Sequence, residues 1–365
     1  MGDTKGILLA LQKDPDTSKV EFSPLDKAHL TSMIESARKQ ILHQLISDPI
    51  FARSGIAPIP DSPLAGGGFN WVVQVYFNGA TAALTVPKYL ADDYEQRNRV
   101  RAAVSKLLPD NLTFDVPRVL AIGDSPFPFC AMTFVQGKNC FPLTFNPQGQ
   151  PLTDDEGRRT GNSVFNTLGR MAAQFGTIES ERFGLIVNQS YGTPAEYIAP
   201  YIRTIEEKIL GSGGGEFTSR GLDCALIKEI VRWVTNDSRS QSRGVFIHPD
   251  LSPWNMLRDP TTDRWAITDG DDARFGLRGE QLGVCLMSMR GTLNREWIDA
   301  LLNGYGAKGR EERRGLLLAA AAYGAVTYGL QGVAKPIGQG ATKEHFRDIA
   351  LRFVSPLLQI FKENY

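Results

Sequence analysis

The sequence predicts an α+β chain, a small β-rich lobe followed by a larger helical one. Three observations carry this. Phe69–Phe77 and Ala82–Pro87 are rich in β-branched and aromatic residues and are joined through Asn78-Gly79, a strong signal for a tight hairpin. From about residue 151 the apolar residues recur every three or four positions, the helical period. That helical half is broken once, by short β runs at Gly244–His248 and Arg264–Thr268 with polar turns beside them.

In chain order, a polar lead gives way to a helical pattern over His29–Ser47, with Leu30, Met33, Ile34, Ile41, Leu42 and Leu45 on its apolar positions. Prolines over Ala57–Leu64 close this arm. After the hairpin come a helix, Asp92–Leu108, and strands at Val116–Leu120 and Phe129–Val135. Helices follow at Asp154–Phe175, Pro194–Leu210, Leu222–Asn236, Trp297–Leu302 and Glu311–Gly329, with Gly211–Gly215 a flexible connection. The expected divisions are a helical arm over 1–58, a small lobe over 59–136 and a helical lobe over 137–365, joined through Phe134–Cys140.

Charge narrows the function. The 365 residues carry 40 Lys+Arg against 40 Asp+Glu, so no overall field draws in nucleic acid or an acidic membrane. Cys130, Cys140, Cys224 and Cys285 form no C-x-x-C, which argues against a disulfide scaffold or structural zinc. Gly6–Leu11 is too short for a signal peptide, and the Ala- and Gly-rich Gly315–Ala334 is weakly apolar, as a buried core helix would be. The expected location is the cytoplasm, and the expected partner is a small molecule.

Chemistry concentrates in Phe246–Gly276. Here His248-x-Asp250-Leu251 precedes Asn255, and Asp269 follows after a second β run. Phosphoryl transfer with a metal needs these types in this order. Asp250 can take the proton of an acceptor hydroxyl. Asn255 offers a neutral oxygen and Asp269 a carboxylate to a metal that bridges nucleotide phosphates. This is the spacing of the general kinase template. His248, at the end of an apolar strand, is expected to be a buried orienting residue.

The segment HPDLSPWNML…WAITDGDDA resembles the catalytic and metal-binding motifs of the aminoglycoside phosphotransferase / choline kinase-like family, usually H-G-D-L-H-x-x-N-[IV]-L…I-D-[WF]-[ED]-x-A. Pro249, Ser252 and Gly270 replace the Gly, the second His and the aromatic, whereas Leu257, Asp271 and Ala273 keep their places. The resemblance spans roughly residues 60–335 and implies a protein-kinase-like two-lobe fold using ATP and Mg2+. It also implies a phosphate-covering loop at Gly66, Gly67, Gly68, Phe69 and Asn70, and a hinge at Phe134-Val135 whose backbone meets adenine. Phe175 stands where the family carries a His.

The small lobe departs from this pattern. The template pairs a strand lysine with a helix glutamate to hold the α- and β-phosphates. The family places a Lys or Arg directly before Val86-Pro87, and that position is Thr85. Lys88 is the nearest lysine, and counting back from Val116-Pro117 puts Val100 or Arg101 where the glutamate belongs. Arg97, Arg101 and Lys88 are the candidates for the substitute cation, the alternative being that the charges of this helix form a solvated face. Two readings follow. One is an ATP/Mg2+-dependent phosphotransferase acting on a hydroxyl of a small molecule. The alternative is a kinase-like scaffold that no longer phosphorylates, a pseudokinase or a repurposed ligand-binding or biosynthetic protein. Trp297, Tyr305, Tyr323 and Tyr328 are candidates for an acceptor pocket, or core aromatics at helical spacing.

Overall fold

A computed structural model of the chain describes residues 55–365 except 60–63, 66–69, 88–93, 124–128, 212–213, 293 and 337–339. The arm expected over 1–58 therefore lies almost wholly outside the described residues. The chain divides into two compact units, one ending at Ser105 but including Val116–Val135, the other holding Lys106–Asp115 and everything from Gln136.

The first unit is an antiparallel sheet with one long helix. Strands β1 (Ile56–Pro58), β2 (Leu64–Ala65), β3 (Asn70–Phe77), β4 (Ala80–Pro87), β5 (Val119–Gly123) and β6 (Phe129–Thr133) are joined in the order β1-β3-β4-β6-β5, with β2 also on β3. The hairpin forms where expected. Phe77 pairs with Ala80, and Asn78 and Gly79 hold φ of 49° and 82°, the left-handed pair a two-residue turn demands. Alternation puts Val73 and Val75 of β3 and Ala82, Leu84 and Val86 of β4 into one core with Ile56, Phe129 and Ala131. The strand expected from Val116 starts only at Val119. Pro117 has no N–H, and the Arg118 N–H goes to the Thr133 hydroxyl at 2.8 Å. Helix α1 (Tyr94–Leu107) buries Tyr94, Asn98, Val100, Arg101 and Val104.

The second unit opens with β7 (Lys138–Asn139), the short α2 (Phe141–Thr144) and α3 (Asp155–Phe175), whose Asp154 cap accepts from Gly157 N at 2.7 Å. Val164, Phe165, Leu168, Met171, Ala172 and Phe175 make its buried face. Strands β8 (Glu179–Ser180), β9 (Phe183–Leu185) and β10 (Asn188–Tyr191) lead to α4 (Pro194–Ile205), α5 (Gly214–Ser219) and α6 (Cys224–Ser238). Next come β11 (Gly244–Ile247), β12 (Met256–Arg258), β13 (Trp265–Ile267) and β14 (Arg274–Gly276). Two small sheets result, β10-β9-β14-β11-β8 and β13-β12-β7. The single β interruption expected from sequence is thus half of a larger arrangement, because strands of three or four residues carry too little periodicity to stand out. Residues 106–115 join this unit because Phe114 packs edge-on against Phe175 and Asp115 N bonds Trp265 O at 2.8 Å.

Helices α7 (Glu280–Met287), α8 (Arg295–Tyr305), α9 (Arg310–Gly324), α10 (Leu330–Ala334) and α11 (Gly340–Asn364) complete the unit. Between α9 and α10 the turn widens to π geometry at Ala325–Gly329. Arg310–Ala334 is long and apolar enough to cross a membrane by length and composition, but 61% of its most apolar window is buried inside the protein, as a core helix. Gly283 and Gly324 let α7 and α9 touch backbone to backbone: a Cβ on Gly283 would lie 2.7 Å from the Gly324 Cα. That crossing seats α7 and its Gln281.

Candidate active site

Asp250 reaches solvent because the strand before it is wholly buried and the residues after it are anchors. All four residues of β11 are buried between β14 and β8. His248, Leu251 and Ser252 are buried as well, which leaves Asp250 exposed at the bend. The His248 ring braces this loop. Its Nε2 lies 3.1 Å from the Thr268 carbonyl, which can only accept, so Nε2 carries the proton. Its Nδ1 accepts from Asp250 N at 3.3 Å. Burial lowers its pKa, against the opposing charges of Asp250 and Asp271, and a neutral imidazole suits both bonds.

The metal-ligand candidates are set by the β12–β13 hairpin. Met256 pairs with Ile267, which brings Asn255 beside Thr268. Thr268 donates to the Asn255 carbonyl twice, from its N at 2.9 Å and its hydroxyl at 3.1 Å. The Asn255 side chain donates from Nδ2 to the Asp250 carbonyl at 3.0 Å. Its amide nitrogen is thus engaged by the loop, and its Oδ1 is the candidate donor oxygen. Asp269 follows in a left-handed conformation, φ 67°, which aspartate tolerates better than most residues, and its side chain is exposed. Asp250, Asn255 and Asp269 therefore stand on two loops cross-braced through His248 and Thr268. Among the described residues no group of three or more His, Cys, Asp or Glu is arranged to hold a metal alone. Magnesium does not need one, since it takes one or two protein oxygens and completes its shell with phosphate and water. An amide oxygen and one carboxylate fit that pattern.

One further residue braces the Asp250 loop, and its neighbour in sequence is a buried charge. Gln281 of α7 bonds the His248 backbone on both sides, accepting from His248 N at 2.6 Å and donating to His248 O at 3.0 Å. Glu280, fully buried, accepts from the Tyr197 hydroxyl at 3.0 Å and from Leu277 N at 3.1 Å and lies 3.4 Å from Arg274 Nε. Neither was legible in sequence, because 33 residues separate Gln281 from His248. Gln281→Leu is expected to strand a buried N–H and C=O and to cost about 2–4 kcal/mol. Denaturant unfolding checks it; a loss under about 0.5 kcal/mol would refute the role.

Of the other sequence candidates, Gly66, Gly67, Gly68, Phe69 and Lys88 lie outside the described residues. Asn70 begins β3 opposite Pro87, and Phe134 and Val135 follow the end of β6, with Phe134 exposed. Arg101 is buried, and its guanidinium donates to the Thr85 hydroxyl at 3.2 Å. Glu95, the lone glutamate of α1, pairs instead with Arg99 on the exposed side. Trp297 and Tyr323 are buried in the core, Trp297 stacked on Phe165. Tyr328 is half-buried under the Arg274 guanidinium, 4.7 Å from its ring centroid. Sequence reasoning passed over Trp254. It sits between Asp250 and Asn255, is 46% exposed and stacks on Phe141, with the Arg290 guanidinium 5.1 Å from its ring centroid.

A small antiparallel unit with one helix, and a helical unit with Asp250, Asn255 and Asp269 on adjacent loops, have the composition of a protein-kinase-like fold. The family model described as "phosphotransferase enzyme family" matches residues 63–316, and the chain belongs to that family. Among curated proteins none matches. Solved structures share the fold at low identity. An aminoglycoside phosphotransferase APH(4)-Ia, in ternary complex with AMP-PNP and hygromycin B, aligns at 14% identity and TM-score 0.58, covering 86% of this chain and 98% of that one. A macrolide 2'-phosphotransferase type I aligns at 18% and 0.53, covering 86% and 95%. The ethanolamine kinase of Plasmodium vivax aligns at 12% and 0.55, covering 98% and 100%.

Proposed function

We propose that this protein transfers the γ-phosphoryl group of ATP to a hydroxyl of a small molecule, with Mg2+ as cofactor. The observation that carries the reading is the cross-braced pair of loops presenting Asp250, Asn255 and Asp269. Asp250 accepts the proton of the acceptor hydroxyl. The hydroxyl oxygen bonds to the γ-phosphorus as the bridging β–γ P–O bond breaks, and ADP leaves. Asn255 and Asp269 would hold Mg2+, which supplies charge neutralisation on the phosphates. His248, neutral and buried, holds the loop and moves no proton. Gly66–Asn70 and the Phe134-Val135 backbone are assigned to the nucleotide on the family resemblance, with Lys88 a further candidate for its phosphates.

The second reading, a scaffold that binds without phosphorylating, is favoured by Thr85 at the strand-lysine position and by Glu95 paired with Arg99 at the surface. The retained groups are those whose loss removes the chemistry, and this favours the enzyme. Calorimetric titration with ATP, with and without MgCl2, tests the reading first. Metal-dependent binding is expected, followed by ADP release across a panel of alcohols and amino alcohols. Absence of nucleotide binding overturns the enzyme reading and leaves the scaffold.

A further inference from the structure

In the first unit, one buried network ties the long helix to the sheet. Tyr94, Asn98 and Arg101 fall on one face of α1 at four- and three-residue spacing and are all buried. Arg101 donates from one guanidinium nitrogen to Asn98 Oδ1 at 2.9 Å, to the Thr85 hydroxyl at 3.2 Å and, more weakly, to the Tyr94 hydroxyl at 3.5 Å. Both hydroxyls pass the bond on. Thr85 donates to the Cys130 carbonyl of β6 at 3.1 Å, and Tyr94 to the Thr85 carbonyl of β4 at 3.1 Å. Asn98 Nδ2 reaches the Phe129 carbonyl at 3.3 Å. Each hydroxyl accepts once and donates once, so its capacity is used consistently.

Position matters as much as bonding. Thr85 stands directly before Val86-Pro87 on β4, a strand flanked on both sides, paired with Val72 of β3 and Cys130 of β6. A phosphate-holding lysine would occupy this position, and Arg101 is the helix residue whose cation meets the side chain there. We propose that Thr85 and Arg101 are the polarity-reversed counterpart of the strand-lysine and helix-glutamate pair. The cation comes from the helix, a neutral hydroxyl receives it on the strand, and Arg101 is the positioning residue that sets the small unit for nucleotide. This rests on the phosphotransferase reading and extends it. A guanidinium is protonated at every accessible pH, and burying one is costly unless its surroundings hold it. Arg101 brings its positive charge to the Thr85 hydroxyl, so this contact between helix and strand holds a cation on the helix and a neutral hydroxyl on the strand. Helix and sheet are joined through it before any nucleotide binds.

The test separates charge from packing. Arg101→Lys keeps the cation and Arg101→Gln removes it. Arg101→Lys is expected to bind Mg2+·ATP within about threefold of the wild type, and Arg101→Gln about tenfold or more weakly, the loss of a charged hydrogen-bond donor. Thr85→Lys/Arg101→Glu rebuilds the usual polarity. It is expected to recover most of the thermal midpoint and nucleotide affinity that Thr85→Lys and Arg101→Glu each lose. Equal binding by Arg101→Lys and Arg101→Gln overturns the inference. So does a double variant no better than its worse single, as does normal binding by all variants. A wild type that binds no nucleotide overturns the phosphotransferase reading itself, which is a separate failure. Should Arg101→Glu not fold alone, the comparison of Arg101→Lys with Arg101→Gln still decides.

Discussion

Asp250→Asn is expected to lower phosphoryl transfer by about a hundredfold to ten-thousandfold, the usual contribution of a positioned base. The substitution keeps size and shape but removes the carboxylate proposed to take the hydroxyl proton. The loop is expected to stay in place, because Asp250 is held through its backbone: its N–H bonds His248 Nδ1, and its carbonyl accepts from Asn255 Nδ2. Nucleotide affinity should therefore stay within about threefold of the wild type, a change of less than 1 kcal/mol. Single-turnover transfer beside calorimetric titration checks both halves. Transfer within tenfold of the wild type would remove Asp250 from the chemistry. Lost transfer together with lost nucleotide binding would point instead to a collapsed loop.

Asp269→Asn should abolish the metal-dependent part of ATP binding. Alanine is the poorer choice here. Asp269 sits at φ 67°, where alanine adds roughly 1–2 kcal/mol of backbone strain, while asparagine adopts this region readily. Asparagine therefore removes the negative charge with little disturbance of the turn. A metal's charge stabilisation is worth several kcal/mol, so a hundredfold or greater loss of Mg2+-stimulated affinity is expected, roughly. Chelator should then change the variant's nucleotide affinity little. An Mg2+ response equal to the wild type's would exclude Asp269 as a ligand.

These two experiments also sort the competing readings. A scaffold that binds nucleotide without transfer would show the Asp269 effect and have no turnover for Asp250→Asn to reduce. An active phosphotransferase shows both. The small unit enters through affinity, since Thr85 and Arg101 are proposed to act on nucleotide positioning and touch no reacting atom.

Composition and local pattern determined a good deal by themselves. The hairpin was legible because Asn-Gly has a backbone preference independent of the rest of the chain. The start of α3 was legible because an aspartate cap satisfies a local N–H. Asp250, Asn255 and Asp269 could be named as candidates because phosphoryl transfer restricts which residue types can serve, and in which order. What the sequence left open depended on distant partners. The Gln281 bonds to His248, the surface pairing of Glu95 and the core burial of Trp297 each require knowing which segments pack together. Arg101 is the sharpest case. Counting residues narrowed the glutamate position to Val100 or Arg101, but only the docking of α1 on the sheet turned Arg101 toward Thr85 and left Glu95 with Arg99. Chemical type is a property of the residue, readable one position at a time. Burial and partnership belong to the packed chain, because the Thr85 hydroxyl that meets the buried Arg101 guanidinium comes from a strand outside its own helix.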